Sequence, residues 1–224
     1  WHIIKSTLEL AELASDNLVG YWKLDETSLS TAYDSSPKQK HGSMTSMVAG
    51  ALGVSGKLGS CINFDGIDDY IDIGTIWDRP TNKFTIAFWI YPDVVEDTEC
   101  IRDYIWNDGD YFGLLVKFNA TGNIGVWAGD GVTYDIAQSV NAWIALEWQH
   151  IAVTYNAGTC QIYYNGLPVG MSDVSARPSI EYTGTSGLQI SSSGSQLDGK
   201  MDEVRIYNKV LTAHEIFMIY NSSK

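Results

Sequence analysis

The stretch Gly199-Lys200-Met201-Asp202-Glu203-Val204-Arg205-Ile206-Tyr207 decides how this chain is read. Met201, Val204, Ile206 and Tyr207 make it a strand, with side chains sent by turns to opposite faces of a sheet. Two carboxylates stand near its start. A buried carboxylate without a partner is very costly, and a hard cation held by oxygens is one partner available at a sheet rim. Without a metal, Asp202 would cap a turn or pair with Lys200 or Arg205. A short helix is expected directly afterwards, over Thr212-Ala213-His214-Glu215-Ile216.

Working outward, six further blocks appear in order. They are Leu18 to Glu26 (LVGYWKLDE), the acidic loop from Asp34-Ser35-Ser36 to His41-Gly42, and Phe64-Asp65-Gly66-Ile67-Asp68-Asp69-Tyr70-Ile71. Two aromatic strands follow, Phe84 to Ile90 and Trp148 to Tyr155, and then the hairpin Ile162-Tyr163-Tyr164-Asn165-Gly166. Together with the 199–207 strand, these blocks resemble laminin G-like and concanavalin A-like jelly rolls. The resemblance runs from about Leu18 to Tyr220. It implies an all-β fold, a two-sheet antiparallel jelly-roll sandwich with a short C-terminal helix. Because one fold hosts many functions, it speaks to architecture before activity.

Strand and turn signals recur at short intervals with no Pro-rich or Gly/Ser-rich linker, which favours one β domain over residues 18–224. Residues 1–17 differ. Ile3, Ile4, Leu8 and Ala11 recur near helical spacing among Lys5, Glu9, Glu12 and Asp16, so an N-terminal amphipathic helix is expected. It either packs on the outside of the sandwich or frays in solvent, or else it forms the lower part of a stalk or packs against copies of itself.

The net charge is −13, with 27 acids against 14 Lys and Arg. Such a field repels phosphate backbones, which excludes nucleic acid as a natural partner. No apolar run reaches membrane-spanning length, and no signal peptide is visible. Three cysteines cannot all pair within one chain, and their spacing fits no zinc pattern. Cys61 and Cys160 lie in strand-like runs and are expected as small buried hydrophobes. Cys100 follows a polar stretch and is open to pairing with either or to staying free.

The resemblance implies a structural calcium ion between the first strand, the loop after it and the last strand. Carried over, Asp202 is the main carboxylate ligand, helped by Asp25 or its carbonyl, with a carbonyl from Gly42 and Asp34 close by. Calcium suits this set because it takes six to eight oxygens in a forgiving geometry. A second acidic group, Asp65, Asp68, Asp69 and Asp72, is read as turn acids spread along a hairpin, since residues alternating on a strand face opposite ways.

Catalytic machinery is not evident. Glucanases of this fold place two Glu and an Asp on one strand to supply acid and nucleophile, and Glu96-Asp97-Thr98-Glu99 has the wrong spacing in a loop-like setting. No Gly-x-Ser-x-Gly elbow is present, and His150 sits in a packing strand. Eight Trp and 13 Tyr exceed what a core needs. Tyr104, Trp106, Trp127 and Tyr134 lie among Asn, Asp and Gly and are the candidates for an exposed platform on which a sugar stacks. The expectation is a non-catalytic extracellular or cell-surface recognition module, a lectin or adhesion domain binding carbohydrate or a surface protein. The alternative is a structural subunit, such as a filament or pilin-like protein with this domain as its head. A glycoside hydrolase comes third.

Overall fold

The 199–207 strand lies at the centre of one sheet in the computed structural model, which describes residues 17–75, 77–107, 110–132, 134–139, 143–173 and 179–222. The helix expected over residues 1–17 falls almost wholly outside these. In chain order the strands begin with β1 (Leu18–Trp22), β2 (Thr31–Ala32), β3 (Gly42–Thr45), β4 (Val54–Ser55), β5 (Ser60–Asp65) and β6 (Tyr70–Gly74). There follow β7 (Lys83–Pro92), β8 (Thr98–Asn107), β9 (Asp110–Phe118), β10 (Ile124–Asp130) and β11 (Tyr134–Gln138). The last are β12 (Gln149–Asn156), β13 (Thr159–Tyr164), β14 (Leu167–Asp173), β15 (Leu188–Ile190) and β16 (Asp198–Tyr207), before helix α1 (Ala213–Ser222).

These strands form two eight-stranded antiparallel sheets. The first runs β14-β13-β12-β7-β16-β5-β4, with β1 also on β16; the second runs β11-β10-β9-β8-β15-β6-β3-β2. Phe64, Phe84, Phe88, Val204 and Ile206 of the first sheet meet Ile71, Ile101, Val116, Phe118 and Val126 of the second in one continuous core. This is the jelly-roll sandwich expected from the sequence. Burying such side chains contributes about 1.5–3 kcal/mol each.

β16 changes partner halfway along. Its first half pairs with β5 and its second with β1, while β7 runs along its other side. The register shifts between Asp202 and Arg205, and Glu203 takes a left-handed φ of 57°. The extra residue of this bulge lets Asp202 and Arg205 both face away from the core while Val204 points into it. A second, smaller core fills the space under α1, where Leu211, Ile216 and Ile219 cover Ala87, Ala152, Tyr163 and Tyr207. The helix starts with a capping box. The Glu215 amide donates to Thr212 Oγ1 at 3.2 Å, and the Thr212 amide donates to Glu215 Oε2 at 2.6 Å.

Cys61, Cys100 and Cys160 are buried thiols without a disulfide among them. Cys100 lies within β8 and joins the core, so the strand begins earlier than its polar neighbours implied. No helix among the described residues is long and apolar enough to cross a membrane.

Candidate functional site

On the second sheet, residues that alternate with core positions form a row across the strands on the outer face. Register joins Trp127 to Leu115, Leu115 to Arg102, Arg102 to Gln189, Gln189 to Asp72 and Asp72 to Ser43. All but Ser43 are flanked on both sides along their own strands by buried residues, such as Val126 and Ala128 beside Trp127, and Ile71 and Ile73 beside Asp72. Neighbouring strands lie about 4.8 Å apart, so the five steps span roughly 24 Å. The row is half-buried to exposed at Trp127, Arg102, Gln189 and Asp72.

Trp127 marks one end. Its indole folds back over Gly125, where a Cβ would stand 2.3 Å from the ring. Only glycine leaves that space, so the pair Gly125 and Trp127 lays the ring against the sheet. The Lys117 amino group stands 5.1 Å from the ring centroid, within cation–π range. Further along, a cleft of about 190 Å³ is lined by Arg102, Tyr104, Thr185, Ser186, Gly187, Gln189 and Ser193. Arg102 Nη1 donates to Glu99 Oε2 at 3.0 Å and to Ser192 Oγ at 3.1 Å, which fixes its direction. Tyr104 and Tyr111 stand 6.5 Å apart, centroid to centroid. Between them and β10, Gly113 takes φ +88°, and a Cβ there would lie 1.8 Å from the Asp103 carbonyl oxygen. The floor beside Tyr104 is therefore bare backbone.

Of the four aromatic candidates, Tyr104 and Trp127 are part-exposed, on strands separated by β9 in the second sheet. Trp106 and Tyr134 occupy β8 and β11 opposite Tyr111 and Gly129, with side chains outside the described set. Arg102, Gln189 and Ser43 carry no signal in the sequence, and Asp72 is expected there only as a turn acid. Their alignment depends on register between strands distant in the chain.

The residues expected around calcium divide into two groups. Asp202 and Asp25 grip the same turn, Gly56 to Ser60. Asp202 Oδ2 accepts the Leu58 amide at 2.8 Å, and Asp25 Oδ1 accepts the Ser60 amide at 2.8 Å. Asp202 is fully buried, and its Oδ1 has no hydrogen-bond donor. Burial is the main force pushing its carboxyl up to about 7; Glu203 and Asp25 add to it against the Leu58 and Lys57 amides. An orphaned buried carboxylate oxygen beside a second carboxylate fits a hard cation. Asp34 and Gly42 do not complete that set. Asp34 Oδ1 accepts the amides of Tyr21 and Ser36, and Oδ2 accepts Ser36 Oγ and the Lys40 amide. It organises its own loop. Gly42 pairs with Ala32 in the second sheet, packed against Ile71 and Ile73. Arg205 pairs with Glu203 and with the Tyr21 hydroxyl at 2.9 Å, instead of with Asp202. Beside Asp25, a second cleft of about 330 Å³ is lined by Lys23, Glu26, Thr27, Ser28, Tyr33 and Ser35.

Several solved structures share this architecture. The receptor binding domain of the botulinum neurotoxin C/D mosaic serotype superposes with a TM-score of 0.72 at 13% identity, over 92% of this chain and 51% of that one. The binding domain of Paraclostridial Mosquitocidal Protein 1 gives 0.70 at 18% identity, over 93% and 53%. The binding domain of botulinum neurotoxin DC, solved in complex with SialylT, gives 0.65 at 13% identity, over 94% and 52%. The chain thus spans about half the length of each, and at these identities the likeness is one of fold. No curated protein matches the sequence. A family model described as the concanavalin A-like lectin/glucanases superfamily matches residues 65–217. With the β16 strand, the Phe64–Ile71 corner and the two-sheet sandwich all in place, the chain belongs to the laminin G-like group of the concanavalin A-like lectin/glucanase superfamily.

Proposed function

We propose that this chain is a non-catalytic, extracellular recognition module that binds carbohydrate across the outer face of its second sheet. The observation that carries this reading is the row from Trp127 to Ser43, in which an indole laid flat on the sheet is followed by Arg102, Gln189 and Asp72. Sugar rings stack on aromatic faces and offer hydroxyls to amides, guanidinium and carboxylates, and sites of this kind combine an apolar surface with a few placed polar groups. Trp, Tyr and Arg are also the side chains that dominate binding energy at interfaces. The structural relatives described above are binding domains, and one of them holds SialylT. Since the chain matches only half of that domain, the ligand class rests on the row itself.

A screen of sialylated and neutral glycans against the purified chain tests it. Trp127→Ala and Arg102→Ala should each weaken the best glycan at least ten-fold. Trp127 is part-exposed, so its loss should barely shift the melting temperature. Wild-type protein that binds no glycan in the screen would remove the reading.

The same proposal includes a structural calcium held by Asp202 and Asp25, clipping the Gly56–Ser60 turn to the central strand. Ligation to the folded state alone raises the melting temperature with free metal. The calcium-dependent rise should be smaller in Asp202→Asn than in the wild type. Equal rises in both would assign the metal elsewhere.

A further inference from the structure

At the corner where β5 leaves the first sheet and β6 enters the second, the chain reads Asp65-Gly66-Ile67-Asp68-Asp69. The alternation of a strand would have spread these acids over two faces. Instead β6 begins only at Tyr70, and the turn before it gathers them. One carboxylate oxygen from each of Asp65, Asp68 and Asp69 lies within 4.8 Å of the other two. Asp65 Oδ1 accepts the Ile67 amide at 2.9 Å, which shapes the turn.

Asp69 is the informative member. It is 1% exposed. Its Oδ2 accepts the Asp65 amide at 3.2 Å, while its Oδ1 is buried with no donor. Buried carboxylate oxygens are normally paired, and an exception calls for an explanation. The surroundings add to the negative charge. Asp198 pairs in register with Asp65, and its Cβ lies 2.8 Å from the point where Gly66 would carry one. The Asp93 amide donates to the Asp198 carbonyl at 2.9 Å, and the Asp93 carboxylate meets Lys200 only at 4.0 Å. Burial, then Asp65 and then Asp68, push the Asp69 carboxyl above its ordinary range. A bound divalent cation reverses that electrostatic conflict, since it becomes the largest local charge.

We propose that Asp65, Asp68 and Asp69 form a divalent cation site of the calcium type, separate from Asp202 and Asp25, that ties the corner between the two sheets. The donor set is all carboxylate oxygen, which selects a hard cation over zinc or copper. Exposed Asp65 and Asp68 leave an open side for water or carbonyl oxygens to complete the shell. The site would lock the crossover from β5 to β6 and with it the strand that carries Asp72 into the outer-face row.

Calorimetric titration of the full chain with calcium chloride, after chelator treatment and desalting, tests this. The wild type should bind calcium. Asp68→Asn and Asp69→Asn should each weaken one binding event at least ten-fold, and Asp202→Asn should leave that event in place. Asp68 is exposed, so its variant keeps the test decisive even if Asp69→Asn fails to fold. A wild type that takes up no calcium at millimolar concentration overturns the proposal. So do Asp68→Asn and Asp69→Asn curves that match the wild type, or binding that disappears with Asp202→Asn alone.

Discussion

Asp103→Ala should lower the unfolding free energy by about 3–5 kcal/mol, the cost of breaking a buried ion pair by removing one partner. Asp103 is fully buried on the core side of β8. It accepts Trp77 Nε1 at 2.7 Å, Arg79 Nε at 2.9 Å and Arg79 Nη2 at 3.3 Å. Arg79 reaches on to the Thr183 carbonyl at 2.8 Å and to the Ser186 carbonyl. One carboxylate thus holds the segment before β7, the middle of β8 and the loop before β15 together. Without it, a largely buried guanidinium is left with the Thr183 and Ser186 oxygens as its acceptors. Replacing both partners, as in Asp103→Leu with Arg79→Met, should recover part of the loss because no charge is then stranded. Urea denaturation of the three proteins checks this, and a loss below about 1 kcal/mol for Asp103→Ala would mean that solvent replaces the pair, as at exposed sites. The variant should also weaken the glycan binding proposed for this face, since Thr185, Ser186 and Gly187 line the cleft with Tyr104, the residue next to Asp103 on the opposite face.

Asp103 also illustrates which features were legible in the chain. The fold was, because period-two patterning survives in β7 and β12, where Ile86 and Phe88, and Ile151 and Val153, point inward. In β16 it holds on either side of the bulge, with Met201 before it and Val204 and Ile206 after it. The short helix after β16 was legible too, since Thr212 and Glu215 have capping-box spacing. Features that depend on long-range register were not. Nothing in Arg102, Gln189 and Asp72, spread over more than a hundred residues, announces that β8, β15 and β6 will set them side by side. The left-handed Glu203 is similar. Its bulge follows from β16 exchanging β5 for β1, which is a property of the sheet rather than of the strand. Asp65, Asp68 and Asp69 are turn acids as expected, but gathered instead of spread. Strand alternation applied from Asp68 disperses them, whereas β6 begins only at Tyr70 and the turn before it collects them. Asp34 carried a family expectation, but local amides and a serine hydroxyl already occupy its carboxylate.

The second large effect concerns His150, which is fully buried on the outer face of the first sheet beneath α1. Trp89 stands 5.2 Å from it and Tyr220 5.9 Å, centroid to centroid, and neither ring nitrogen has a hydrogen-bond partner. Burial above all, and then the charge of Arg205, lower its pKa to about 3. An unfolded histidine titrates near 6.5. Between those values the unfolded chain binds a proton that the folded chain refuses, so stability falls as pH falls. The contribution is complete above about pH 6.5 and declines by about 1.36 kcal/mol per unit below it. From pH 6.5 to 5 the loss amounts to roughly 2 kcal/mol by that slope. Asp202 works in the opposite sense, its raised pKa favouring the folded state as pH falls from about 7. The raw stability curve therefore mixes the two, and the informative quantity is the difference between His150→Phe and the wild type. That difference should move in favour of the variant by about 2 kcal/mol on going from pH 6.5 to 5, and stay constant above pH 7. Denaturant titrations at pH 7.5, 6 and 5 measure it, and a difference independent of pH would show that His150 reaches solvent in the folded state. Because Tyr220 of α1 covers both Trp89 and His150, the acid-induced loss should be seen first as faster amide exchange in residues 213–222, before the sandwich beneath them opens.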